Sequence, residues 1–360
     1  MSDLDSRQSL LIKSMRFPLI VLVVIAHAAG TSPDLIHWSL EGHNIYYFVT
    51  EMLSRHLCSI GVCWFYVFSG YFFFSNLKDG KLDKNWILGK WNRRIHTLLI
   101  PYLIWNSILV VLIIIFTKLY AILEIPQSSN IYAAVERGPL FWFFTGPVNY
   151  PLWFMRDLMI LSLVAPALYY LFNKLPWTGL ILIVAFYLSC ILTLIPQFRA
   201  ICFFSLGAWL GICRYNILAI CRKVKIPAAI LSVILLFLST SQIGRPLHEL
   251  LRRLFFPFGM MTFMNICDAL LNHDRYKALT TKLSATVFFI FAAHEVFILG
   301  WTKGFLLRIF GDSLSGLWIS YFLTPVIVLT VCLLLFLLFN RFTPGALAFI
   351  CGGRTQKKAR

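Results

Sequence analysis

Charge is what this chain has least of. Only 13% of its 360 residues are Asp, Glu, Lys or Arg, and the acidic ones number 15 against 32 basic ones. A soluble domain carries about 25% charged residues, so this chain has too few to clothe a water-facing surface of its size. Several catalytic signatures are also missing. No Gly-x-Ser-x-Gly, phosphate-binding loop, His-Glu-x-x-His or Gly-x-Gly-x-x-Gly occurs, which removes motif support for hydrolase, nucleotide-triphosphatase, metalloprotease and dinucleotide-binding readings. The nine cysteines form no Cys-x-x-Cys or Cys/His zinc spacing and read as small apolar filler. No internal repeat is visible, which weighs against a transporter built from duplicated halves. The net charge of +17 invites a nucleic-acid reading, but the cations lie between apolar stretches rather than on one polar face, so no nucleic-acid partner is expected.

Apolar residues make up 59% of the chain, with 33 Phe, 14 Tyr and 11 Trp. Each membrane span needs roughly 20 mostly apolar residues. The pattern predicts an all-α, polytopic transmembrane bundle of about ten spans, from Phe17–Leu35 through Leu57–Phe74, Leu98–Phe116 and Leu152–Phe172 to Leu317–Phe339. That leaves one domain over residues 1–360, with 1–15 as a cytoplasmic N-terminal segment and 341–360 as a basic cytoplasmic tail. The first apolar run ends in Ala26-His27-Ala28 and could pass for a signal peptide, but the hydrophobicity that follows makes it an uncleaved span. Most lysines and arginines fall in alternate connecting segments: Arg7 to Arg16, Lys78 to Arg94, Arg214 to Lys225, Arg275 to Lys282, and Arg341 to Arg360. The positive-inside rule puts those segments and both termini in the cytoplasm.

Ionisable groups inside spans are costly and therefore candidates for function. His27 lies 11 residues after Arg16, which leaves the two about 20° from a shared helix face and about 16 Å apart along the axis. Arg16 is thus expected at the cytoplasmic rim and His27 near mid-membrane; a histidine hydrogen-bonded only for helix packing is the competing reading. Lys90, Arg93 and Arg94 stand at the inner mouth of the third span, either as topology anchors or, beside Arg16, as an anion site. Arg156 and Asp157 open the fourth span; being adjacent, they point to different sides and need not pair. His294 and Glu295 form a further polar pair in the ninth.

Together, Arg16…His27, Phe65-Tyr66-Val67-Phe68-Ser69-Gly70-Tyr71, Arg94…Pro101-Tyr102, Leu152-Trp153-Phe154-Met155-Arg156-Asp157-Leu158 and the late His294 resemble the acyltransferase-3 family, bacterial membrane O-acyltransferases of glycans. The similarity runs in order along nearly the whole chain. It implies a multi-pass protein of the bacterial cytoplasmic membrane. It also implies an acyl-CoA donor on the cytoplasmic side, acetyl-CoA by expectation, and a glycan or lipid-linked saccharide acceptor near the outer leaflet. His27 would be the general base, with a carboxylate such as Glu51 or Glu41 as its partner. Arg16, Arg93 and Arg94 would bind the donor, while Arg156, Asp157 and His294 would contact substrate. No metal is expected. The family's Arg-x-x-Arg is broken here: Arg94 fills the first position, Thr97 stands at the second, and Lys90 and Arg93 keep the spacing one register away. The alternative function is a permease or flippase in which His27, Asp157 and Glu295 line a path.

The charge pattern makes a direct prediction. Reporter fusions after Lys84 and at Lys357 should read as cytoplasmic, and one near Ser128 as external. Ser128 on the inside would reverse the orientation.

Overall fold

The computed structural model describes residues 3–29, 36, 38–39, 41–77, 82–124, 135–189, 198–295 and 297–354. Among these every regular element is a helix. The chain runs α1 (Asp3–Ala28), α2 (Gly42–Glu51), α3 (Ile60–Phe74), α4 (Lys84–Arg94), α5 (Ile100–Ile122), α6 (Trp153–Lys174), α7 (Pro176–Leu188) and α8 (Phe198–Ile212). It continues with α9 (Ile217–Lys223), α10 (Lys225–Ser241), α11 (His248–Leu270), α12 (Asp274–Leu283), α13 (Val287–Ala293), α14 (Phe297–Phe310), α15 (Leu314–Phe342) and α16 (Pro344–Ile350). Five helical stretches are long and apolar enough to cross a membrane, or up to eight if each bent pair is one span; α7 and α10 are shorter apolar helices. The ten-span expectation also counted α7 and α10, which are apolar but short, as full spans. The α8/α9, α11/α12 and α13/α14 pairs bend by 105°, 118° and 66°.

The first helix departs most from expectation. Apolar periodicity begins at Phe17, but α1 begins at Asp3, because contacts with other helices hold its polar first half. Arg7 donates Nε to Asp268 Oδ1 at 2.6 Å, and Arg222 reaches the other oxygen of the same carboxylate at 2.6 Å. Gln8 donates to Tyr71 Oη and accepts from the Leu218 amide. Arg16 therefore sits near the middle of α1 and His27 in its last turn.

Glycine sets the frame at the centre. A Cβ on Gly70 of α3 or on Gly207 of α8 would lie under 3.0 Å from backbone atoms of the facing helix, and Gly211 would meet Tyr71 O. Gly207 and Gly211 are four apart, the small-residue spacing that lets membrane helices touch backbone to backbone. Fully buried Phe73, Phe204, Phe255 and Phe256 pack around this crossing.

Replacing Gly207 with Ala should cost about 1–3 kcal/mol through overpacking, read as a lowered unfolding midpoint in detergent. Gly89→Ala, on an exposed face of α4 with open space around it, should be neutral or stabilising by about 0.5–1 kcal/mol. Equal tolerance at both positions would contradict the close crossing.

Candidate active site

The last turn of α1 faces the break between α13 and α14. Neighbouring residues of a continuous helix point about 100° apart; the break lets His294 and Glu295 both approach His27. His27 Nδ1 lies 3.2 Å from Glu295 Oε2, and the two imidazole centroids are 5.4 Å apart. His294 Nδ1 is 3.0 Å from both Ile290 O and Phe291 O. Carbonyls only accept, so Nδ1 carries the hydrogen. Its buried Nε2 faces Glu295 Oε2 at 3.6 Å, and neither atom has a hydrogen-bond partner. A cavity of about 590 Å³ opens beside it, lined by His27, Arg55, Tyr150, Glu295 and Lys303 among others.

A second cluster gathers cations at the entry to α5. Arg94 donates Nη2 to Ser69 Oγ at 3.1 Å, within the Phe-Ser-Gly stretch of α3. The five residues Ile95–Leu99 form a π-helical turn, a feature frequent at functional sites. Trp105 Nε1 holds Ile350 O at 3.0 Å, which docks α16 against α5. Gly352 and Gly353 then turn the chain with φ of +62° and +74°, a left-handed conformation that glycine adopts at no steric cost. The turn brings Arg354 back: its Nη2 donates to Thr97 O and its Nη1 to Cys351 O. Its guanidinium lies 4.3 Å from the Phe288 ring centroid. Burial and the charges of Arg94 and Arg16 pull Arg354 down to about 10. Among the described residues no ion pair within 4 Å neutralises Arg16, Arg94 or Arg354.

The family model described as "Acyltransferase domain" matches residues 11–339. The chain belongs to the acyltransferase-3 family. It is an acyltransferase of multi-pass membrane type. The succinoglycan biosynthesis protein ExoH of Rhizobium meliloti (strain 1021) is 28% identical over 369 residues, spanning 99% of this chain and 95% of that protein. No solved structure matches the chain.

In this acyltransferase the carboxylate beside His27 is Glu295, on α13/α14, and not the Glu51 or Glu41 considered from the sequence. Glu51 ends α2, within charge reach of Arg55 and Arg252; Glu41 precedes α2. Arg156 and Asp157, which being adjacent need not pair, do so: Arg156 Nη2 is 3.2 Å from Asp157 Oδ1. Arg156 also donates to Thr145 O, and Asp157 accepts from Tyr66 Oη at 3.3 Å. The hydrogen bond from Tyr66 ties α3 to α6. Arg93 is exposed. The sequence pattern gave Glu295 a place only in the permease alternative and gave Arg55, Lys303 and Arg354 no site role. Glu295 was visible as the neighbour of His294, and Arg354 stands beyond a Gly-Gly pair in what looked like a plain basic tail.

His27, His294 and Glu295 offer three ligand atoms within 4.8 Å of one another, a donor set that fits a divalent cation. Arg55 and Lys303 line the same cavity and oppose a further positive charge there.

Proposed function

We propose that this protein is an integral-membrane O-acyltransferase that moves an acyl group from cytoplasmic acyl-CoA to a hydroxyl of a cell-surface or lipid-linked glycan. The observation that carries this reading is the His27–Glu295 contact at the end of α1, facing a cavity. Family membership and the similarity to a succinoglycan biosynthesis protein point to acyl transfer and to a glycan. In the reaction, His27 takes the acceptor hydroxyl proton as the oxygen attacks the thioester carbonyl. The C–O bond forms, the C–S bond breaks, and the proton passes to the departing thiolate. Histidine's unperturbed pKa near 6.5 suits this task. Glu295, with Oε2 3.2 Å from Nδ1, stabilises by its charge the imidazolium that forms.

Without the base, acyl transfer should fall by about 10²–10⁴-fold. In a membrane assay with acceptor and acyl-CoA, His27→Ala and His27→Gln should be equally inactive while accumulating normally, since glutamine keeps a hydrogen bond but accepts no proton near neutral pH. Glu295→Gln should lower kcat with little change in KM. Activity retained by His27→Gln would remove His27 as the base and move the chemistry to His294.

The uncompensated Arg16, Arg94 and Arg354 supply the donor site in this reading, with Arg93 at its edge. Arg354 stands beside Thr97, where the Arg-x-x-Arg pattern lacks its second guanidinium. Charge-assisted bonds to phosphate contribute about 1.5–3 kcal/mol each. Arg94→Ala and Arg354→Ala should each weaken binding of free CoA by roughly tenfold or more, measured by titration of the purified protein. CoA binding unchanged in both variants would reduce the cluster to a topology signal.

A further inference from the structure

The cavity beside His27 holds more positive charge than the chain itself neutralises. Arg55 projects from the π-helical turn Met52–His56, and Lys303 from α14 beyond the break; both line the cavity with His27 and Glu295. Neither cation makes an ion pair within 4 Å among the described residues. Their charges act on both His27 and Glu295, and Glu295 is the one carboxylate among the residues lining the cavity; Glu51, one turn before Arg55 and within its charge reach, is shared with Arg252. Elsewhere the chain places acids against its interior arginines, as with Asp157 and Arg156 or Glu249 and Arg252. Charge inside an apolar body is retained where something pairs with it. An acetyl group passed to a neutral acceptor would leave both cations uncompensated throughout the reaction.

We propose that Arg55 and Lys303 hold a carboxylate carried by the substrate while the reacting carbonyl and hydroxyl lie at His27. The carboxylate could belong to the transferred group, a dicarboxylic acid bound to CoA through one end, or to an acidic sugar of the acceptor. The guanidinium suits bidentate contact with a carboxylate, and the ammonium adds a point charge beside it. The volume of about 590 Å³ lies in the range of small-molecule sites. This inference rests on the acyl-transfer reading and adds the charge of the substrate to it.

The test uses the purified full chain in lipid nanodiscs, with two arms. In the first, kcat/KM for succinyl-CoA and for acetyl-CoA is measured on one acceptor, in the wild type, Arg55→Gln and Lys303→Gln. A wild-type preference for succinyl-CoA, reduced about tenfold or more in each variant, locates the carboxylate on the acyl group. In the second arm, with one fixed donor, an acceptor glycan bearing uronic acids is compared with the same glycan after carboxyl reduction. A preference confined to this arm and lost in the variants locates it on the acceptor. Arg55→Lys and Lys303→Arg keep the charge and should keep the preference. Transfer with no charge preference in either arm, or a preference that both glutamine variants retain, overturns the proposal and leaves acyl transfer standing. No transfer from either donor would overturn acyl transfer itself, and the proposal with it.

Discussion

The contact between the His27 imidazole and the Glu295 carboxylate fixes what the rest of the molecule must provide. An imidazole and a carboxylate set into an apolar bundle need partners, access and rigid support. Access comes from the cavity, and support from both flanks. On one side, α1 runs unbroken from Asp3 to Ala28, so Arg16 and His27 keep a fixed separation. On the other, the α13/α14 break lets two consecutive residues serve one site. The hydrogen bonds of His294 Nδ1 to Ile290 O and Phe291 O then hold that ring in one orientation.

Scarcity of acid makes the charge map informative. With only 15 acidic residues in the chain, an unpaired cation in a helical interior stands out from the ones that are matched. Asp268 joins two arginines on different helices, and Asp157 is held by Arg156 and Tyr66; these acids tie helices together. The two groups of unmatched cations lie toward the opposite ends of the α1 segment from Arg16 to His27: Arg16, Arg94 and Arg354 at one, Arg55 and Lys303 at the other. In the acyl-transfer reading both groups meet anions supplied by substrates.

The helical, membrane-spanning character was readable from composition, because spans have a length that lipid imposes. His27 and Arg94 were readable because an ionisable group in or beside an apolar run is conspicuous. Three things were not. The helical first half of α1 is polar and is held by Asp268 and Tyr71, residues far away in the chain. The partnership of His27 with Glu295 joins positions separated by most of the sequence, and the bend between α13 and α14 leaves no strong local signal in an apolar run. The placement of Arg354 depends on two consecutive glycines and on where Trp105 docks α16. Motif spacing follows the chain, whereas these contacts are set by which helices lie side by side.

The glycine crossing of α3 and α8 also bears on how the molecule meets membranes of different thickness. Helices that touch through side chains can slip as rotamers change, but helices that touch through backbone have no such freedom. α3 and α8 therefore move as one body. Ser69, which holds Arg94, and Tyr66, which holds Asp157, both ride on α3 and share that rigidity. Adjustment to a thinner or thicker bilayer falls instead to the bent pairs, above all α13 and α14, whose 66° bend lies beside His27. The lipid composition around the protein is then a variable that reaches the reacting centre before it reaches the frame.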